Sequence, residues 1–171
     1  MRRWRTQRRF ARLVGRIRVP ATGDSAALCQ AVSEHLDRPI QLIPLPLPVD
    51  APCGLVITTR SAHYVAYDNQ TSPLHQRHIV AHELGHLLAG HSARPVGETD
   101  LARLLMPTRD PGVVTAVLAR TPGYDEQAEK EAELIADLLW KHTTRRTGGP
   151  ARQLDPADAD LVERIRQSLG E

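Results

Sequence analysis

His-Ile-Val-Ala-His-Glu-Leu-Gly-His-Leu-Leu-Ala-Gly-His, residues 78–91, is the stretch whose reading decides the fold. At its centre, His82-Glu83-Leu84-Gly85-His86 spaces two histidines four apart. On a helix they stand about 40° apart round the axis, so both imidazoles can reach one metal ion. Glu83 lies about 100° round from His82, outside the ligand direction yet able to touch a water at the metal. Zinc bound by two histidines and a carboxylate keeps a fourth position open for water and lowers its pKa towards ~7, and a carboxylate beside it can take the proton. The spacing therefore predicts a zinc site on a helix, one ion per chain, with His82 and His86 as ligands and Glu83 as general base.

The flanks predict where that helix starts and stops. Ser72 suits an N-cap, Pro73 the first helical position and Gly90 a left-handed stop. On a helical wheel Val80, Ala81, Leu84, Leu87 and Leu88 gather on one side, and His75, His78, His82 and His86 on the other. One face should pack into a core while the histidine stripe lines a cleft.

The 171 residues suit a single domain spanning the whole chain, 1–171, large enough for a real core. Aromatic residues make up 4%, so Leu, Val, Ile and Ala must fill that core. The net charge of +2 is unevenly spread: residues 1–20 hold eight arginines and no acid, and the rest carries 14 basic against 20 acidic residues. No apolar run approaches ~18 residues, so no membrane span is expected. The basic N-terminus lacks the apolar core of a secretory signal. Cys29 and Cys53 make no disulfide framework, and their positions do not say whether they approach one another. A cytoplasmic location is the expectation.

Within the Arg-rich segment 1–20, residues 2–18 read as a helix. Phe10, Leu13, Val14 and Ile17 form a stripe that should dock on the domain, leaving a solvated arginine face. No helix-turn-helix or zinc finger follows it, so direct nucleic-acid binding is not expected. Asp24 or Ser25 can cap a second helix to about Leu36, with Ala27, Leu28, Ala31, Val32 and His35 on its inner side. Residues 40–45 read as a strand, and Pro44, Pro46, Pro48 and Pro52 predict an edge or loop there. Residues 54–59 and 63–68 read as a hairpin turning at Arg60-Ser61-Ala62, a small antiparallel sheet just before the histidine helix. Beyond Gly90, prolines and glycines leave room for short helices at about 100–105 and 112–120. A longer helix follows at about 124–143. After the break at Thr147-Gly148-Gly149-Pro150, segment 150–171 carries a last helix, 156–169, with a narrow seam of Leu161, Ile165 and Leu169.

Two histidines need a third ligand. The 124–143 helix offers Glu126, Glu129, Glu131, Glu133 and Asp137 around an apolar face of Ala128, Ala132, Ile135, Ala136 and Leu139. Glu129 and Glu131 stand on opposite shoulders of that face, and Glu133 lies one turn beyond Glu129. Periodicity does not choose between the shoulders.

Residues 78–91, followed about 40 residues later by Glu-Lys-Glu-Ala-Glu-Leu-Ile-Ala at 129–136, resemble the ImmA/IrrE family of small zinc metallopeptidases. The resemblance covers roughly residues 40–140. It implies an α+β fold in which a small antiparallel β-sheet packs on a helical, gluzincin-like zincin core carrying the HExxH helix and a second ligand helix. It also implies Glu129 as third ligand. One turn later the family usually has Asn or Asp where this chain has Glu133. The usual Phe is Ile135, and Trp140-Lys141 stand where Met-Pro often follows. Glu133 is then either a carboxylate that orients a ligand histidine or, paired with Asp137, an alternative ligand. Glu131 should face solvent. Candidates for oxyanion stabilisation or substrate contact are His75, His78, Tyr64 and Tyr67, with His142 behind them. The implied activity is a zinc-dependent endopeptidase acting on an intracellular regulatory protein such as a helix-turn-helix transcription repressor, in transcription regulation and stress response. The alternative is a zinc-containing binding module that docks on a repressor without cutting it.

Overall fold

Helical periodicity gives way to strand alternation at Pro39, and the secondary structure follows that change. The computed structural model describes residues 2–19, 24–47, 52–91, 94–95, 114–119 and 126–146, with side chains at 4–19, 24–47, 52–91 and 126–143. In chain order the elements are α1 (Arg2–Arg16), α2 (Ser25–Leu36), β1 (Ile40–Leu45), β2 (Gly54–Thr59), β3 (His63–Asp68), α3 (Pro73–Ala89), β4 (Arg94–Pro95), β5 (Val114–Ala119) and α4 (Glu126–Arg146). The architecture is α+β: four helices and a mixed sheet among the described residues. The helices expected at 100–105 and 156–169 lie outside the described residues. None of the described helices is long and apolar enough to cross a membrane.

α1 docks on α4 through the expected stripe, with Phe10, Val14 and Ile17 buried, while Arg5, Arg8, Arg9, Arg12, Arg16 and Arg18 are exposed. It stops at Arg16, two residues short of the expected end, because the Ile17 amide turns back onto the Val14 carbonyl at 3.0 Å. α2 begins where Asp24 accepts a hydrogen bond from the Ala27 amide at 3.2 Å. It ends at Asp37, whose φ of 50° is the left-handed conformation that Asp tolerates better than most residues. Cys29 is buried on this helix and Cys53 is exposed; both are free thiols.

The sheet runs in the order β1-β3-β2-β5-β4. β2 and β3 form the expected antiparallel hairpin, and Thr59 Oγ1 closes its turn by accepting from the Ala62 amide at 3.1 Å. Two expectations are corrected. The sheet is mixed, because β1 pairs parallel with β3, Ile40 opposite His63 and Leu45 opposite Asp68. β3 lies between β1 and β2, and at its end the Asn69 and Asp68 amides donate to the carbonyls of Leu45 and Cys53 respectively. β1 is an edge strand, as its Pro44 requires. Secondly, the segment expected to be helical at 112–120 carries strand β5, antiparallel to β2 with Val56 opposite Leu118. Its β-branched Val114, Thr115 and Val117 suit a strand, and the open side of β2 supplies the partner.

Alternation along the strands divides the core. Val56 and Val65 face a cluster built with α1, α2, α3 and α4, including Phe10, Val32, Val80, Leu84, Ile135 and Leu139. Leu55, Ile57, Ala62, Tyr64 and Ala66 make a second cluster on the other face. α3 and α4 share the largest contact between elements, and that contact positions the site.

Candidate metal centre

The histidine helix has the predicted ends. Ser72 Oγ accepts from the His75 amide at 3.3 Å, Pro73 opens the helix, and Gly90 closes it with φ of 72°. The Gly90 amide donates to the Leu87 carbonyl and the His91 amide to the His86 carbonyl, both at 3.1 Å. This is a Schellman closure, and it folds His91 back over the last turn.

α4 reaches this helix at Gly85. A β-carbon built on Gly85 would lie 2.5 Å from the Ala132 carbonyl oxygen and 3.0 Å from Ala132 Cα. Only glycine permits so close a backbone approach. With α4 astride α3 at Ala132, the two shoulders of its apolar face fall on either side. Glu129, nearly one turn before Ala132, reaches His82 and His86. Glu131, on the other shoulder, reaches His91.

His82, His86 and Glu129 converge, each offering one ligand atom, with all three atoms within 4.8 Å of one another. His82 Nε2 lies 3.1 Å from His86 Nε2 and 3.4 Å from Glu129 Oε2, and His86 Nε2 lies 3.4 Å from Glu129 Oε1. The grouping is compatible with a bound metal ion. Behind it, His82 Nδ1 is 3.2 Å from Glu133 Oε2. A carboxylate accepts, so with the His82 proton on Nδ1 this contact is a hydrogen bond and the Nε2 lone pair is free for a metal at the shared position. Glu133 is half exposed and stands outside the converging trio, as a carboxylate that orients a ligand histidine would.

A cavity of about 230 Å³ opens over the cluster, lined by His82, His86, Glu129 and Glu83 together with His75, His78 and Gly54. Glu83 is 7% exposed. Gly54, at the start of β2, abuts it: a β-carbon there would lie 2.8 Å from Glu83 Oε1 and 2.6 Å from Ile79 Cγ2. The backbone of Gly54 thus walls in one side of the carboxylate.

The other sequence candidates divide. His75 and His78 line the cavity, and His78 Nε2 is 3.5 Å from Glu133 Oε2. Tyr64 is buried in the second apolar cluster, and Tyr67 lines a separate cavity beside α2 with Asp24 and Gln76. His142 lies about three and a half turns along α4 from Glu129 and does not line the cavity. The expectation that Glu131 faces solvent is corrected: it is partly buried, with Oε2 at 3.4 Å from His91 Nε2. His91, Gly85 and Gly54 carry no role in the sequence reading. For His91 the available signal was its place just after Gly90, since the residue after a left-handed glycine folds back on the helix it closes.

No family model matches this chain, and no curated protein sequence matches it.

Proposed function

We propose that this protein is a zinc-dependent endopeptidase of the ImmA/IrrE type, built on a zincin-like core. The observation that carries the reading is Glu83: a buried carboxylate outside the converging trio, lining the same cavity as His82, His86 and Glu129. The donor set fits zinc. Tetrahedral coordination at ~2.0–2.1 Å sets ligand atoms about 3.3–3.4 Å apart; the two Nε2 atoms are 3.1 Å apart and each lies 3.4 Å from one of the two Glu129 oxygens, Oε2 for His82 and Oε1 for His86. Two imidazoles and one carboxylate also leave the cavity side open, whereas structural zinc is usually closed by four protein ligands.

His82, His86 and Glu129 would hold the ion. When bound, zinc supplies Lewis acidity that polarises a carbonyl and makes water easier to deprotonate. Glu83 accepts the proton of the attacking water as its oxygen bonds to the carbonyl carbon, then delivers that proton to the amine nitrogen as the C–N bond breaks. His75 and His78, on the cavity wall, are the side chains available to touch substrate. Tyr64 and Tyr67 drop out of this role. Residues 52–54, leading into β2, line the cavity; among the described residues β2 is paired with β3 along its length and with β5 from Leu55 onward.

The substrate class follows the resemblance: an intracellular regulatory protein, with a helix-turn-helix repressor as first candidate. The test is incubation of the purified protein with a repressor encoded beside it, with and without chelator. Cleavage that needs zinc and is abolished by Glu83→Gln, while one zinc per chain is retained, supports the peptidase. Zinc binding and repressor docking without any cut would support the docking module. Cleavage at a near wild-type rate by Glu83→Gln would remove Glu83 as the base.

A further inference from the structure

We infer that His91 and Glu131 form a hydrogen-bonded relay that fixes the tautomer and ring orientation of the ligand His86. The inference rests on the proposed zinc site and concerns residues on the side of His86 away from the cavity. His91 Nδ1 is 2.9 Å from His86 Nδ1, and His91 Nε2 is 3.4 Å from Glu131 Oε2. Glu131 is itself held, its Oε1 accepting from Gln127 Nε2 at 2.8 Å.

Of the two neutral arrangements, in which His86 donates to His91 or accepts from it, only the first also satisfies the contact between His91 Nε2 and the Glu131 carboxylate. Glu131 as a carboxylate can only accept, so His91 carries its proton on Nε2. His91 Nδ1 is then bare and must accept from His86. That puts the His86 proton on Nδ1 and leaves Nε2 as a lone pair, aimed where His82 Nε2 and Glu129 converge. Three acceptors meeting at one point repel unless a cation lies between them. The chain from Glu131 through His91 thus presets His86 for metal before metal arrives, as Glu133 does for His82.

The fold builds this pair deliberately from two distant segments. The left-handed Gly90 and the 3.1 Å bond from the His91 amide to the His86 carbonyl bring His91 back over the ring of His86. The contact at Gly85 brings the second shoulder of α4, and so Glu131, to the far nitrogen of His91. The two rings meet edge-on, with centroids 5.1 Å apart and planes at 66°. Neither His91 nor Glu131 lines the cavity over the metal cluster, so both are positioning residues that do not meet substrate.

The test compares His91→Ala, His91→Phe and His91→Asn in the full chain. Asn can offer an oxygen near the place of Nδ1; Phe keeps the ring and offers no acceptor. Zinc affinity by competition with a chromophoric chelator, the visible spectrum of the Co²⁺-loaded protein, and the melting temperature of the metal-free protein are the readouts. Loss of such a partner typically costs ~10- to 100-fold in affinity, expected for Ala and Phe with an altered Co²⁺ spectrum, and Asn should recover most of it. Glu131→Ala should weaken zinc binding in wild type and add nothing in the His91→Ala background. If Phe binds zinc as wild type does while Asn behaves like Ala, His91 only packs, and the relay is wrong. Should Phe fail to fold, Asn against Ala decides alone. If wild type binds zinc and His91→Ala matches it, the relay fails and the site stands; if wild type binds none, both fall.

Discussion

A β-carbon on Gly85 would sit 2.5 Å from the carbonyl oxygen of Ala132, a backbone atom that cannot swing aside. This one approach lets a carboxylate on α4 reach two histidines on α3. It predicts the outcome of Gly85→Ala. In a free helix Ala is favoured over Gly by about 1 kcal/mol, whereas overpacking costs about 1–3 kcal/mol, so the change should lower the melting temperature. Zinc affinity should fall at the same time, since separating the helices withdraws Glu129 from His82 and His86. Calorimetry and chelator titration of one preparation check both.

The two carboxylates on the near shoulder of α4 should separate cleanly. If Glu129 is the third ligand as proposed, Glu129→Gln puts a neutral amide in its place and should abolish tight zinc binding. Glu133→Gln leaves an oxygen that can still accept from His82 Nδ1, so the loss should stay near the low end of ~10- to 100-fold. Both substitutions keep size, so packing cannot mimic the order. The reverse ranking in chelator competition would make Glu133 the ligand.

Gly54→Ala should separate metal binding from chemistry. The added methyl would meet Glu83 Oε1 at 2.8 Å and Ile79 Cγ2 at 2.6 Å, both of them side-chain atoms that can be displaced. Zinc stoichiometry and affinity should hold, because no ligand is touched. Turnover of a confirmed peptide substrate should drop by roughly 100-fold if the base moves by about 1 Å. Full activity in this variant would mean that Glu83 need not stand where it does.

The two thiols should differ in reactivity and in their effect on stability. Burial, with the negative charge of Asp24 in second place, pushes the Cys29 thiol up to about 12. A thiol reagent at neutral pH should therefore label the exposed Cys53 alone in the native protein, and both cysteines after unfolding. For stability, a folded thiol that stays protonated while the unfolded one ionises favours unfolding as pH rises. The contribution of Cys29 should be whole below about pH 8.5 and should be lost as pH climbs towards 12. Cys29→Ala should flatten that alkaline decline in a melting-temperature series.

Docking of α1 should be visible in Phe10→Ala. The ring is fully buried among helices, and removing such a group costs about 3–5 kcal/mol. A melting temperature equal to wild type would mean that α1 contributes nothing to the core.

Sequence by itself determined the elements whose causes are local. Ser72, Pro73 and Gly90 bound α3 as written, because caps act through side chains and φ angles a few residues away. Asp24 opened α2, the alternation at 54–68 made the hairpin, and Phe10 with Val14 marked the docked side of α1. The convergence of His82 and His86 needed only the pitch of a helix. Tertiary structure decided whatever needed a partner from elsewhere in the chain. Val114–Ala119 is a strand because β2 had a side to pair, and β1 lies parallel because β3 stands between it and β2. Glu129 and Glu131 are equivalent shoulders on a wheel, and they differ only once Gly85 fixes where α4 crosses α3. Glu131 turns inward and His91 meets His86 for the same reason: a left-handed glycine and a bare backbone bring together groups 40 residues apart, and no periodicity within either helix encodes that contact.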